Sequence, residues 1–196
     1  MSSKPRLWTK GFILDTLVNF LIYIIYYMLM VIIASEAIHS LNASMSEAGL
    51  ASGIFILGTL VARLFAGRSV ELYGRRKILF AGIIFYLATT FMYFGIHSMA
   101  MLFLVRCLNG IGYGIASTAT STIVSTMIPA ERRGEGINYY ALSMSLAAAI
   151  GPFIGMLMQQ IFPFEDIIYF CIAMIVVCLG AGVGRWGYLA LGTAAV

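Results

Sequence analysis

The sequence predicts an all-α membrane protein with six transmembrane helices, and three observations support this fold class. First, the 196-residue chain is 61% hydrophobic and only 10% charged, whereas about a quarter of the residues in soluble domains are charged. Second, six apolar runs are close to or longer than the roughly 20 residues that a helix needs to cross a bilayer. Third, these runs lack the two-residue alternation of barrel strands, so helices must satisfy their backbone groups in hydrocarbon.

The six apolar runs follow one another along nearly the whole chain. They lie near residues 11–36, 48–67, 78–96, 99–127, 137–161 and 167–184. The first run is too long for a cleaved signal peptide, and no small-residue cleavage site follows it. The predicted parts are a cytoplasmic N-terminus at 1–10, a six-helix bundle at 11–186 and an atypical, uncharged C-terminal tail at 187–196.

Basic residues mark one side of the membrane. Lysines and arginines precede the first run, occupy alternate connections and follow the sixth run, whereas the other connections contain none. By the positive-inside rule, both termini are predicted to be cytoplasmic. The net charge of +4 therefore reflects membrane topology and gives no indication of nucleic-acid binding. Two further arginines, Arg63 and Arg106, fall inside predicted spans.

Helix one carries a polar stripe. Asp15, Asn19, Tyr23 and Tyr26 follow one another at offsets of four, four and three residues, which places them on one helix face. A polar stripe on an otherwise apolar span is most simply the wall of a cavity. Asp15 lies only about one turn inside the span, so an interfacial carboxylate explains this residue equally well.

The connection between helices two and three, "GRSVELYGRRK", is the most highly charged segment of the chain. Its two glycines allow two helix ends to approach closely without a Cβ penalty. Its acidic residue can face a positive helix N-terminus, and its basic residues can stabilise negative helix C-termini. The charge of this segment is equally consistent with an ordinary basic cytoplasmic loop. We expect this connection to act as a conformational-switch loop. Its candidate residues are Gly67, Glu71, Gly74, Arg75, Arg76 and Lys77.

Helix four places Arg106, Asn109 and Tyr113 on one face. An arginine this deep in a span costs several kcal/mol unless it meets water or a partner, so we expect it to face a polar cavity. The alternative is that its side chain snorkels to the outer surface. The Ser/Thr-rich run at 117–126 either contacts substrate or bonds back to helix carbonyls.

Helix five carries a ridge of small residues, whereas helices three and six are apolar supports. Ser143, Ala147, Gly151 and Gly155 recur every four residues, and such ridges allow close helix contact in lipid. Pro152 interrupts the backbone hydrogen bonding of the same helix. The alternative is that this ridge is an ordinary helix-packing face. The candidate motif residues are Ala147, Gly151, Pro152 and Gly155.

Three of these segments resemble motifs of the major facilitator superfamily. The charged loop is similar to its signature Gly-x-x-x-Asp-Arg-x-Gly-Arg-Arg-Lys, with Glu71 at the acidic position and Leu72 at the first arginine. The segment "RCLNGIGYG", which begins at Arg106, resembles the fourth-helix motif, with Asn109 in place of the usual glutamine. The segment "GPFIG", which begins at Gly151, resembles the fifth-helix motif of the superfamily's antiporters.

This resemblance implies a 3+3 inverted-repeat bundle, the N-terminal half of a twelve-helix drug:proton antiporter. It implies proton-coupled efflux of small drug-like or amphipathic molecules by alternating access, in a bacterial cytoplasmic membrane. In such a fold helices one and four line the central cavity. The implied substrate or coupling residues are Arg106, Asn109, Tyr113, Asp15, Asn19, Tyr23 and Tyr26.

The expected partners are a small-molecule substrate, protons and the lipid bilayer. The chain supplies six helices where the superfamily has twelve, so either a missing second half or a homodimer mate is also expected, and a non-transporting fragment is the alternative. The Arg106 stripe and the helix-five ridge are expected to be exposed toward that partner. The proton carrier is Asp15, a residue in absent sequence or a group on the substrate.

No enzymatic activity, cofactor or metal is expected of this chain. No predicted helix carries paired carboxylates, a histidine cluster or a phosphate-binding glycine loop. The three cysteines all fall inside predicted spans, which favours reduced, packed thiols over a disulfide framework.

Overall fold

The computed structural model describes residues 6–192, with side chains through residue 182. Six helices, each long and apolar enough in its described part to cross a membrane, confirm the predicted all-α fold. They are α1 (Lys10–Ser40), α2 (Met45–Tyr73), α3 (Arg75–Phe91), α4 (Met99–Met127), α5 (Arg133–Ile161) and α6 (Phe164–Gly192). Short 3₁₀ turns follow α3 at Met92–Gly95 and precede α5 at Ala130–Arg132.

Polar side chains cap the starts of α1, α2 and α4. At the start of α2, the Ser44 hydroxyl accepts a hydrogen bond from the Glu47 backbone, and the Glu47 carboxylate accepts one from the Ser44 backbone. At its other end α2 continues to Tyr73, six residues past the predicted end at 67. Helix α6 continues through Gly192, so the first part of the predicted tail is helical; residues 193–196 lie outside the described residues.

Helices α1 and α4 occupy the centre of the bundle. Helix α4 packs along both α2 and α3, and α1 packs along α5 while also contacting α2, α4 and α6. Glycines set the close approach of α2 and α4, because a Cβ on Gly58 would collide with the Cys107 carbonyl oxygen and one on Gly110 with the Phe55 carbonyl oxygen. This arrangement leaves one edge of α1, α2, α4 and α5 on a common face.

The small-residue ridge of α5 is buried against α1, so the expectation that it is exposed toward a partner is wrong. Ala147 has no exposed surface. A Cβ on Gly151 would lie 2.7 Å from Tyr27 Cβ, and one on Gly155 would lie 3.1 Å from the Met28 carbonyl oxygen. The ridge satisfies its packing inside the bundle because α1 approaches at backbone distance.

The charged connection between α2 and α3 contains a single non-helical residue, Gly74. Gly74 has a φ of +92°, a conformation that residues with a Cβ rarely adopt. Gly67 and Glu71 lie in the last turns of α2, and Arg75 begins α3. Neither Glu71 nor Arg75 takes part in an ion pair with another described residue.

Candidate functional site

Arg106 lies inside the bundle with no exposed surface. Its Nε donates to the Ala51 carbonyl oxygen at 3.3 Å, and its Nη1 donates to the Tyr93 hydroxyl at 3.4 Å. Its guanidinium carbon lies 4.4 Å from the centroid of the Phe55 ring. No carboxylate among the described residues pairs with it. Carbonyl and phenol dipoles and an aromatic face therefore stabilise this charge, instead of the open cavity that the sequence led us to expect.

A buried hydrogen-bond network connects Arg106 to α3. The Asn109 amide nitrogen donates to the hydroxyls of Thr89 and Thr90, each at 3.1 Å, and Tyr93 donates to the Asn109 amide oxygen at 3.4 Å. We call Arg106, Tyr93, Asn109, Thr89 and Thr90 the outer polar network. Tyr93 also lines a cavity of about 380 Å³ near the α1–α2 and α5–α6 connections.

A second buried network joins α1, α4 and α5. The Asn19 amide nitrogen donates to Ser143 at 3.4 Å, and its amide oxygen accepts from Thr120 at 3.3 Å. Tyr140 donates to the Thr120 hydroxyl at 3.2 Å. We call Asn19, Thr120, Tyr140 and Ser143 the inner polar network. Each of these three hydrogen bonds joins two different helices. Buried hydrogen bonds of this kind fix the register of the helices relative to one another.

An aromatic cluster on Tyr113 lies between the two networks along α4. The Tyr113 ring centroid is 5.5 Å from that of Tyr23, 5.0 Å from that of Tyr26 and 5.4 Å from that of Phe55. Tyr26 also stacks on Phe55 at 5.0 Å, the ring that Arg106 covers. The structure thus brings Tyr23, Tyr26 and Tyr113 into one contact chain with Arg106.

Asp15 lies away from this aromatic cluster. Its side chain is only 4% exposed, so it is not a solvated interfacial carboxylate. It lines a small cavity together with Arg76 and Leu79 of α3 and Ala181 of α6. Asp15 is therefore close to the charged α2–α3 connection and not to the tyrosines of its own stripe.

An open cavity of about 400 Å³, with mostly apolar walls and a few polar groups, occupies the common face of α1, α2, α4 and α5. It is lined by Tyr23, Arg63, Ser117, Thr118, Ser121, Tyr140 and Met144. Of the predicted cavity residues, only Tyr23 lines it. Sequence reasoning placed Arg63 in a span but gave it no role. In the structure Arg63 and Ser117 each lie ten residues before the end of their helix and so at one depth, whereas the predicted end of helix two at residue 67 placed Arg63 only four residues from the membrane edge.

Comparison with known proteins identifies relatives of the whole bundle. The family described as Major Facilitator Superfamily matches residues 16–189. An uncharacterized MFS-type transporter from Methanocaldococcus jannaschii is 28% identical over 67% of this chain and 34% of its own length. Multidrug resistance protein MdtL from Citrobacter koseri is 26% identical over 71% of this chain and 36% of its own length. The matched part of this chain therefore covers about a third of the length of these relatives.

A more distant relative and a solved structure are also similar to this chain. Quinolone resistance protein NorA from Staphylococcus aureus is 22% identical over 59% of this chain and 30% of its own length. A crystal structure of peptide transporter POT in complex with alafosfalin superposes with a TM-score of 0.80 at 17% identity, covering 89% of this chain and 38% of that one. At this identity the structural match shows the fold alone.

Proposed function

Because the chain belongs to the major facilitator superfamily, we propose that it is the N-terminal six-helix half of a proton-coupled transporter that exports small amphipathic molecules. The proposal places it in a bacterial cytoplasmic membrane, with both termini in the cytoplasm. Relatives named for multidrug and quinolone resistance support export. The observation that carries the proposal is the open cavity at membrane depth, because an arginine and several hydroxyls inside spanning helices mark a substrate or ion path.

The cavity suits an amphipathic substrate. Tyr23, Tyr140 and Met144 offer apolar and aromatic surface, while Ser117 and Ser121 offer hydroxyl oxygens. Apolar walls with a few polar groups are typical of small-molecule sites, and methionine adapts to varied shapes. Such a lining binds a class of compounds better than one compound.

The two polar networks connect the substrate cavity to the rest of the bundle. Tyr140 belongs to both the cavity and the inner polar network, and Tyr23 belongs to both the cavity and the aromatic cluster on Tyr113. That cluster contacts Phe55 and through it Arg106. A chain of side-chain contacts therefore joins the cavity to the outer polar network, and such a chain can couple substrate binding to alternating access.

Asp15 is the proton carrier in this proposal. It lines one small cavity with Arg76, in the first turn of α3 after Gly74. A carboxylate attracts a guanidinium, and protonation removes that attraction. A proton on Asp15 would therefore change how α1 holds the start of α3, at the one residue where the α2–α3 backbone leaves the helical conformation. Gly74 permits that bend, and the neighbouring charges bias it.

Accumulation of the neutral fluorescent amphiphile N-phenyl-1-naphthylamine tests the proposal in energised bacterial cells that express the chain, where a second copy would supply the other half of the transporter. We expect lower accumulation than in cells expressing Asp15→Asn, and collapse of the difference when a protonophore dissipates the proton gradient. Asp166→Asn, an exposed acid at the start of α6, is the matched control and should export normally. Equal accumulation in all strains, with protein present in the membrane, would favour a non-transporting membrane fragment.

A further inference from the structure

We propose that Arg63 selects substrates that carry an anionic group, an inference that rests on the proposed function of the open cavity. Arg63 projects from α2 and is exposed on the cavity face, opposite Tyr23 of α1 and Tyr140 of α5. No aspartate or glutamate is among the described residues that line this cavity. Arg63 also forms no ion pair with any described residue. The cavity thus has one uncompensated positive charge.

The depth of Arg63 makes this charge significant. It lies ten residues before the end of a 29-residue helix, about 15 Å from that end of a helix about 43 Å long. If the helix is centred on a hydrocarbon core of about 30 Å, Arg63 lies roughly 8 Å inside the core. An arginine at that depth requires water or a counter-charge, and the cavity can admit both.

The neighbouring hydroxyls leave Arg63 as the principal hydrogen-bond donor of the cavity. Ser117 and Thr118 both donate to the Gly114 carbonyl oxygen, and Ser121 donates to that of Thr118. These hydroxyl hydrogens are therefore engaged by the helix itself. The guanidinium of Arg63 retains donors in a planar fork, which fits two oxygens of a carboxylate, sulfonate or phosphonate.

The geometry therefore indicates an amphipathic organic anion as the substrate class. Its acidic group would bind Arg63, and its apolar part would pack between Tyr23 and Tyr140 and against Met144. A cationic compound would meet an unpaired like charge in the same space, so the cavity disfavours it. Selection by charge is consequently assigned to a single side chain.

Three probes of matched shape test this inference: naphthalene-2-carboxylate, naphthalene-2-carboxamide and 2-naphthylmethylammonium. Their affinities are measured by saturation-transfer NMR with the 196-residue chain in zwitterionic nanodiscs, after subtraction of binding to empty discs. We expect the carboxylate to bind about tenfold more tightly than the amide, since a charge-assisted hydrogen bond has roughly that value. Arg63→Gln should remove this preference, Arg63→Lys should retain part of it, and Arg63→Glu should favour the ammonium probe.

Arg68→Gln is the control, because Arg68 is an exposed arginine of α2 that does not line the cavity. This variant should bind all three probes as the unmodified chain does. Equal affinity of the unmodified chain for the three probes would overturn the inference. So would an equal loss of all three in a monodisperse Arg63→Gln variant, which would assign Arg63 to contacts with another bundle.

The binding measurement does not depend on transport, so the two proposals fail separately. If the chain prefers the carboxylate but does not export N-phenyl-1-naphthylamine, the proposed function fails and the charge selection stands. If it exports that amphiphile but binds the three probes equally, only the role of Arg63 is lost.

Discussion

At the residue scale, Arg106 is a charge that the fold stabilises without an acid. Taking an arginine out of water costs several kcal/mol even after relaxation. Here a carbonyl oxygen, the Tyr93 hydroxyl and the Phe55 ring offset part of that cost, but its Nη2 has no hydrogen-bond partner. An apolar side chain of similar length would fill the same space without this desolvation cost. A fold selected for stability alone has no use for this charge.

We therefore predict that Arg106→Met separates stability from transport. The thermal transition of the detergent-solubilised protein should be unchanged or higher, because replacing even a buried ion pair by apolar side chains is often neutral or stabilising by about 1–4 kcal/mol, and here no carboxylate among the described residues would be left without its partner. Export of N-phenyl-1-naphthylamine should be lost, and Arg106→Lys should restore little because an ammonium lacks the planar fork that reaches both Ala51 and Tyr93. Leu104→Met, on the exposed surface of the same helix, is the control. Normal export by Arg106→Met would assign the arginine no part in transport.

At the scale of helices, the contact between α2 and α4 depends on glycine at specific positions. Helix α2 contains one glycine that is packed against α4 and one that has no close neighbour. A Cβ on Gly58 would collide with the Cys107 backbone of α4, whereas a Cβ on Gly53 would have no neighbour within 4 Å. The two positions differ by five residues in one helix, so the same substitution tests packing at one and helix propensity at the other.

Gly58→Ala should lower the thermal transition, because the added methyl group forces α2 and α4 apart at a cost of about 1–3 kcal/mol. Gly53→Ala should leave it unchanged or raise it, since alanine is favoured over glycine in a helix by up to about 1 kcal/mol. Size-exclusion chromatography after heating in detergent measures both. Equal stability of the two variants would mean that α2 and α4 can move apart at this contact without loss of stability, and that other contacts hold the two helices together.

The sequence predicted the helices well but the side-chain environments poorly, and the reason is physical. Span length and the distribution of arginines depend on the bilayer, which acts on each segment separately. Whether Arg106 meets water or protein depends on Tyr93, thirteen residues away, and whether the ridge at Gly151 is free depends on α1. Those contacts are set by helix pairing, which periodicity within one helix does not specify. For the same reason the site role of Arg63 was missed.

At the scale of the whole molecule, the polar side chains of the open cavity leave one face of the bundle unsuited to lipid. Exposed leucine and phenylalanine residues on the other surfaces are solvated well by acyl chains. Arg63 and the exposed hydroxyl of Ser121 are not. The Methanocaldococcus relative, of which the 132 matched residues are 34%, is about twice as long as this chain, and in such a transporter a further segment could cover this face. When the 196-residue chain is expressed alone, a second copy is the simplest cover.

We predict that the chain expressed alone forms a two-fold dimer through this face, since two-fold symmetry closes an interface with one pair of identical patches. A single cysteine at Ser121, in a Cys107→Ala background, should give cross-linked dimers with a bifunctional methanethiosulfonate in native membranes. The remaining cysteines, Cys171 and Cys178, are buried. A cysteine at Val177, which is 57% exposed on α6, should give none. A monomeric mass in detergent together with no cross-link at Ser121 would show that the polar face is completed only by a second, different bundle.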